Sequence, residues 1–71
     1  MKVITASDLV IGQQFRILGR RVVFEHVSLF EGDIHGQPSR VTLSKRADGL
    51  NCRILSIPVD SDLPLVPVAE D

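Results

Sequence analysis

Few residues of this chain can bind or react by their own chemistry: two histidines, one cysteine and a scatter of carboxylates and arginines. Glu31, Asp33 and His35 fall at alternate positions. An extended segment would set two carboxylates and an imidazole on one face, a donor set that suits zinc or a similar ion. Gly32 and Gly36 argue for a turn instead, and no second histidine lies close by, so the three are expected to be a solvated acidic loop with no metal bound. Cys52 has no histidine beside it in sequence to take its proton, and close to Ile54 it reads as a small core hydrophobe. A single cysteine forms no internal disulfide and no cysteine zinc site. Catalysis needs a convergent acid, base and positioning group. Here no glycine-rich loop opens a helix, no serine elbow occurs and the acidic residues fall at expected turns, so no catalytic residue, no cofactor and no enzyme activity are expected.

The arginines are more informative. Residues 16–53 hold Arg16, Arg20, Arg21, Arg40, Lys45, Arg46 and Arg53 against Glu25, Glu31, Asp33 and Asp48, while the tail beyond carries Asp60, Asp62, Glu70 and Asp71. Arg20 and Arg21 at one turn, Lys45 and Arg46 at another, and Arg40 between them form a candidate phosphate-tracking patch, because each cation that neutralises a phosphate releases a counterion. Against a nucleic-acid partner stands the net charge of −1, since proteins of that class are usually basic. Charges at turns and edge strands also keep small β proteins soluble and unpaired. With no Trp or Tyr and only three Phe, there are few rings on which bases could stack.

The elements that must position these residues are strands. Val, Ile and Thr recur in short runs between Gly, Asp, Asn, Ser and Pro, and no stretch keeps a helical apolar spacing over three turns. Thr5, Ser7 and Asp8 offer oxygens to cap a helical turn or tight loop that carries Leu9 inward and ends at Gly12. Gln14 to Leu18 alternates, and Gly19-Arg20 reads as a two-residue hairpin connection to a strand from Arg21 to Phe30. In that strand Val22 and Phe24 share one parity while Val23, Val27 and Leu29 share the other, so a bulge near Glu25-His26 is predicted. Residues 31–39, with two glycines and a proline, read as the longest and most mobile loop. Arg40 to Arg46 alternates with Val41 and Leu43 inside and Thr42 and Ser44 outside, and Asp48-Gly49 turns into a strand from Asn51 that Pro58 closes. Asp60 to Leu63 predicts one short helical turn before a last strand, Leu65–Val68, and residues 69–71 should fray.

Five short strands, tight turns after the first and third, a long loop after the second and one helical turn before the fifth are the order of a mainly β, five-stranded SH3-like barrel. One domain over residues 1–71 is expected, since 71 residues hold a single small core. The run Ala6-Ser7-Asp8-Leu9-Val10-Ile11-Gly12, then Phe15, Gly19, Val22-Val23 and Val27, resembles the opening of the KOW-type, SH3-like N-terminal domain of translation elongation factor P. Where that family places a lysine flanked by glycines, this chain has Gly32-Asp33-Ile34-His35-Gly36, so the resemblance implies the fold and argues against that factor's activity. The opening is also similar to that of small uncharacterised bacterial and phage proteins, which implies no function.

What remains is recognition. The favoured reading is a protein-interaction module or small inhibitor that docks on a larger protein through an exposed strand edge or through the loop. An apolar Ile34 flanked by glycines has little structural purpose at a loop tip, so Phe30, Ile34 and His35 are the expected contacts. A nucleic acid at the arginines is the alternative, and a second copy of the chain is a further candidate partner, because pairing two small cores buries area that each lacks alone. No apolar run approaches the roughly 20 residues that span a bilayer, and the N-terminus does not resemble a signal peptide, so no membrane partner and a cytoplasmic location are expected.

Overall fold

The computed structural model describes residues 2–49 and 53–68. Five strands, β1 (Gln14–Ile17), β2 (Val23–Ile34), β3 (Gln37–Arg46), β4 (Ile54–Pro58) and β5 (Leu65–Pro67), make one antiparallel sheet in the order β4-β3-β2-β1-β5. The mainly β class and the five strands follow the sequence reading. A closed barrel does not form: β4 and β5 are the two edges of the sheet, and no ladder joins them among the described residues. The sheet nevertheless curls, because Ile57 on one edge strand and Leu65 on the other bury their side chains in the same core.

That core gathers Ile4, Ala6, Phe15, Ile57 and Leu65, with Leu9, Ile17, Phe24, Leu55 and Leu63 packed around it. Phe15 and Phe24 are Cα partners across β1 and β2, and their rings stack with centroids 5.9 Å apart. Such offset aromatic pairs add about 0.5–1.5 kcal/mol beyond the area they bury. A 3-10 turn, the only one among the described residues, lies at Ala6–Asp8, ahead of β1. It forms there because Asp8 Oδ2 accepts a hydrogen bond from the Thr5 backbone N–H at 3.1 Å, while Ala6 is buried beneath. The segment before β5 holds a β-turn instead, closed by the Ser61 N–H donating to Pro58 O at 3.0 Å.

The β2–β3 register shifts between His26 and Ser28, which places the bulge one or two residues beyond its expected position. The shift has the predicted consequence: Phe24, His26 and Leu29 come to one face, and Val23, Glu25, Ser28 and Phe30 to the other. It also reverses the expected orientation of β3. Ser44 pairs with His26 and Thr42 with Leu29, so both hydroxyls turn to the core side and are buried, whereas Leu43 is half-exposed and Val41 is buried on the outer face. Thr42 Oγ1 donates to Ile57 O at 2.8 Å and His26 Nδ1 to Leu43 O at 3.2 Å, which lets two of these buried polar groups be satisfied.

Two further expectations are corrected. The β1–β2 connection is residues 18–22 rather than Gly19-Arg20 alone, because the last rung of that ladder is Arg16↔Val23. The expected loop over residues 31–39 is a paired hairpin arm: Glu31↔Arg40, Gly32↔Ser39, Asp33↔Pro38 and Ile34↔Gln37 continue the ladder to the end of β2. The arm closes through His35 (φ 52°) and Gly36 (φ 78°), the two positive φ values of a type I′ turn, whose twist matches that of the flanking strands. The arm stretches the molecule to 39 × 26 × 20 Å and its radius of gyration to 12.1 Å. A compact chain of this length would give about 11 Å.

Candidate functional site

Pairing defines the two faces of the arm. Phe30, Gly32 and Ile34 share the outer face with Ser39 and Val41, and Leu29, Glu31 and Asp33 share the other with Pro38, Arg40 and Thr42. Phe30 is 42% exposed and Ile34 40%. The Phe30 ring lies along its own strand over Gly32, where only a residue without a Cβ leaves room for it. Ile34 and Val41, with Pro38, Arg40, Pro58 and Val59, line a shallow groove of about 540 Å³ where β3 meets the 58–60 turn. Of the three expected contacts, Phe30 and Ile34 thus come together on one apolar face, and His35 stands exposed at the turn that ends it.

The arm also has an open edge. Gly12 N–H donates to His26 O at 2.8 Å and His26 N–H to Gln13 O at 2.9 Å, and beyond that point no strand pairs with this side of β2 among the described residues. In a two-residue hairpin the closing pair, here Ile34↔Gln37, exchanges both hydrogen bonds, and alternate pairs up the ladder do likewise. The intervening residues Leu29, Glu31 and Asp33 therefore direct their N–H and C=O groups outward. The partner strand obeys the same alternation: the carbonyl of Arg40, opposite Glu31, accepts from Val59 N–H at 3.0 Å on the far side of β3. Pro38, opposite Asp33, falls where the missing N–H would point away from β2, so the β3 edge is blunted while the β2 edge is not.

Sequence reasoning missed Val10 and Ile11. They are 66% and 61% exposed at a turn closed by Gln13 N–H donating to Val10 O, and that turn lies at the base of the open edge, where Gly12 meets His26. An apolar pair directly before a turn glycine was the available signal.

The basic residues divide. β1 ends and β2 begins at the end of the sheet where β3 ends and β4 begins, so Arg20 and Arg21 lie toward the end at which Lys45 and Arg46 close β3. Arg16 lines a groove with Arg20 and Arg21, and Arg53 lines another with Phe24 and Arg46; neither arginine belongs to the patch expected from sequence. Arg46 is held by Asp48 in a bidentate pair, Nε to Oδ1 at 3.1 Å and Nη2 to Oδ2 at 2.6 Å. Arg40 stands apart on the arm and meets Glu31 at 3.4 Å. Arg16, Arg20, Arg21 and Lys45 form no ion pair among the described residues. Of the expected five, Arg20, Arg21, Lys45 and Arg46 share an end of the sheet and Arg40 does not, but Lys45, opposite Glu25, and Arg46, opposite Phe24, leave β3 on opposite faces.

Glu31 and Asp33 do share a face, but His35 sits in the turn, and no group of three metal-ligating side chains comes together among the described residues. Cys52 and residues 69–71 lie outside the described residues. No helix is long and apolar enough to cross a membrane among the described residues. The sequence matches no protein-family model, no curated protein and no solved structure.

Proposed function

We propose that this chain is a small non-enzymatic binding module that docks on a protein partner through its β2–β3 arm. The observation that carries this reading is the exposure of Phe30 and Ile34 on one face of an arm whose neighbouring strand edge is unpaired. Exposed aromatic and aliphatic side chains beside open backbone donors and acceptors are the elements of a strand-addition or groove contact. The order of five strands supports grouping the fold with small SH3-like barrels, and the single cysteine supports a reducing cytoplasm.

The test is capture of partners by the wild-type chain and by Ile34→Asp and Phe30→Ala variants, with the fold of each followed by circular dichroism. The reading expects one interaction that both variants lose while melting as the wild type does. An interaction that survives both substitutions would remove the arm from the site.

A second reading is a nucleic-acid contact at the opposite end of the sheet, favoured by Arg16, Arg20 and Arg21 lining one groove there without ion pairs among the described residues. Anisotropy of labelled single- and double-stranded DNA and RNA at two salt concentrations tests it, since phosphate contacts weaken steeply with salt. Absence of binding at low salt would retire it.

A further inference from the structure

We infer that the occupant of the arm is an extended strand of alternating basic and apolar residues, added antiparallel to the open edge of β2 as a sixth strand, an inference that rests on the arm being the docking element. The open edge runs from Ser28 to Ile34, so it accepts a segment of about seven residues.

The outward backbone groups belong to Leu29, Glu31 and Asp33. In antiparallel pairing, residues that exchange both hydrogen bonds lie directly opposite one another and on the same face. The incoming residues hydrogen-bonded to Glu31 and Asp33 therefore present their side chains beside two carboxylates. Asp33 has no ion pair among the described residues, and Glu31 shares only an exposed contact with Arg40 at 3.4 Å. Between them Glu31, Asp33, Pro38 and Arg40 line a shallow recess of about 340 Å³, open to a long cationic side chain. The alternate incoming residues fall on the outer face beside Phe30 and Ile34 and are apolar for the same reason.

The same acids argue against a second copy as the occupant. Pairing this segment with itself over its full length sets Glu31 opposite Glu31, and like charges directly opposite are destabilising. Edge strands are commonly guarded by charge. Here the guard has one sign, so it repels acidic and self pairing and selects a basic strand.

The experiment titrates the intact protein with a labelled heptapeptide of alternating valine and lysine. Its controls are the valine–glutamate analogue and two N-methylated forms that carry the methyl groups either on the lysine or on the valine backbone nitrogens. Expected are saturable binding of the valine–lysine peptide, at least tenfold weaker binding of the valine–glutamate peptide, and loss on methylation at lysine with tolerance at valine, because only the lysine N–H groups face the edge. Glu31→Lys with Asp33→Lys should reverse the preference between the two charged peptides. Equal binding of both N-methylated forms would show charge attraction without strand pairing and overturn the inference. A concentration-dependent dimer by light scattering that Glu31→Pro disrupts, by removing an outward N–H of the edge, would make a second copy the occupant and overturn it as well. In either case the arm remains the docking element if partner capture is still lost in Ile34→Asp, and falls with the inference if it is not.

Discussion

The Phe30 ring occupies the space that a side chain on Gly32 would need: a Cβ there would stand 2.9 Å from Phe30 Cζ, closer than non-bonded carbons approach. Gly32 thus sets how Phe30 is displayed, and the outer face of the arm is shaped by a residue with no side chain. Gly32→Ala should force the ring off the strand. The stability change should stay within about 1 kcal/mol, since alanine also removes the excess backbone entropy that glycine brings to a strand. Partner affinity should fall several-fold. Melting followed by circular dichroism, beside binding of the captured partner, separates the two effects.

Two hydroxyls two residues apart on β3 should respond with opposite signs. Ser44 is fully buried and its Oγ has no hydrogen-bond partner among the described residues, whereas Thr42 Oγ1 donates to Ile57 O at 2.8 Å. An unpartnered buried hydroxyl carries a desolvation penalty of about 1–3 kcal/mol. Ser44→Ala should therefore raise stability by about 1 kcal/mol and Thr42→Val lower it by about 1 kcal/mol. Urea denaturation midpoints at constant m-value read both.

The arm depends on its turn. Gly36 has φ 78°, a conformation that costs an L-residue with a Cβ about 1–2 kcal/mol. Gly36→Val should open the hairpin locally, so exchange of the ladder amides of Phe30, Gly32, Ile34, Ser39 and Val41 quickens about tenfold while the amides of Phe15 and Leu65 keep their protection. Uniformly faster exchange would mean that the arm and the core unfold as one unit.

If a nucleic acid binds at the basic end, Arg20→Ala with Arg21→Ala should lower the slope of log affinity against log salt by about 0.9 for each duplex phosphate that the variant no longer neutralises. Arg46→Ala should change it less, because Asp48 already neutralises that guanidinium in a bidentate pair. Equal slopes for the wild type and the double variant would clear Arg20 and Arg21 of phosphate binding.

Local pattern determined the class, the number of strands and the existence of a bulge. The two conflicting parities around Val23 and Phe24 admit no straight strand with one buried face, so a register shift was legible before any fold was known. The exposure of Phe30 and Ile34 was legible for a similar reason, since apolar residues among glycines and acids have no local partner. Only the tertiary structure decided that residues 31–39 are an arm rather than a loop. Glycine, proline and charge read as irregular chain until pairing sets His35-Gly36 at a type I′ turn and Pro38 where its missing N–H points outward. Which side of β3 is buried was likewise decided by its neighbour, because the bulge in β2 turns Thr42 and Ser44 toward the core. Whether Arg20, Arg21, Lys45 and Arg46 share an end of the sheet depended on where β1, β2 and β3 begin and end. Side-chain alternation is a property of one strand, but edges, faces and clusters belong to the pairing of several, and pairing brings together residues that the sequence keeps far apart.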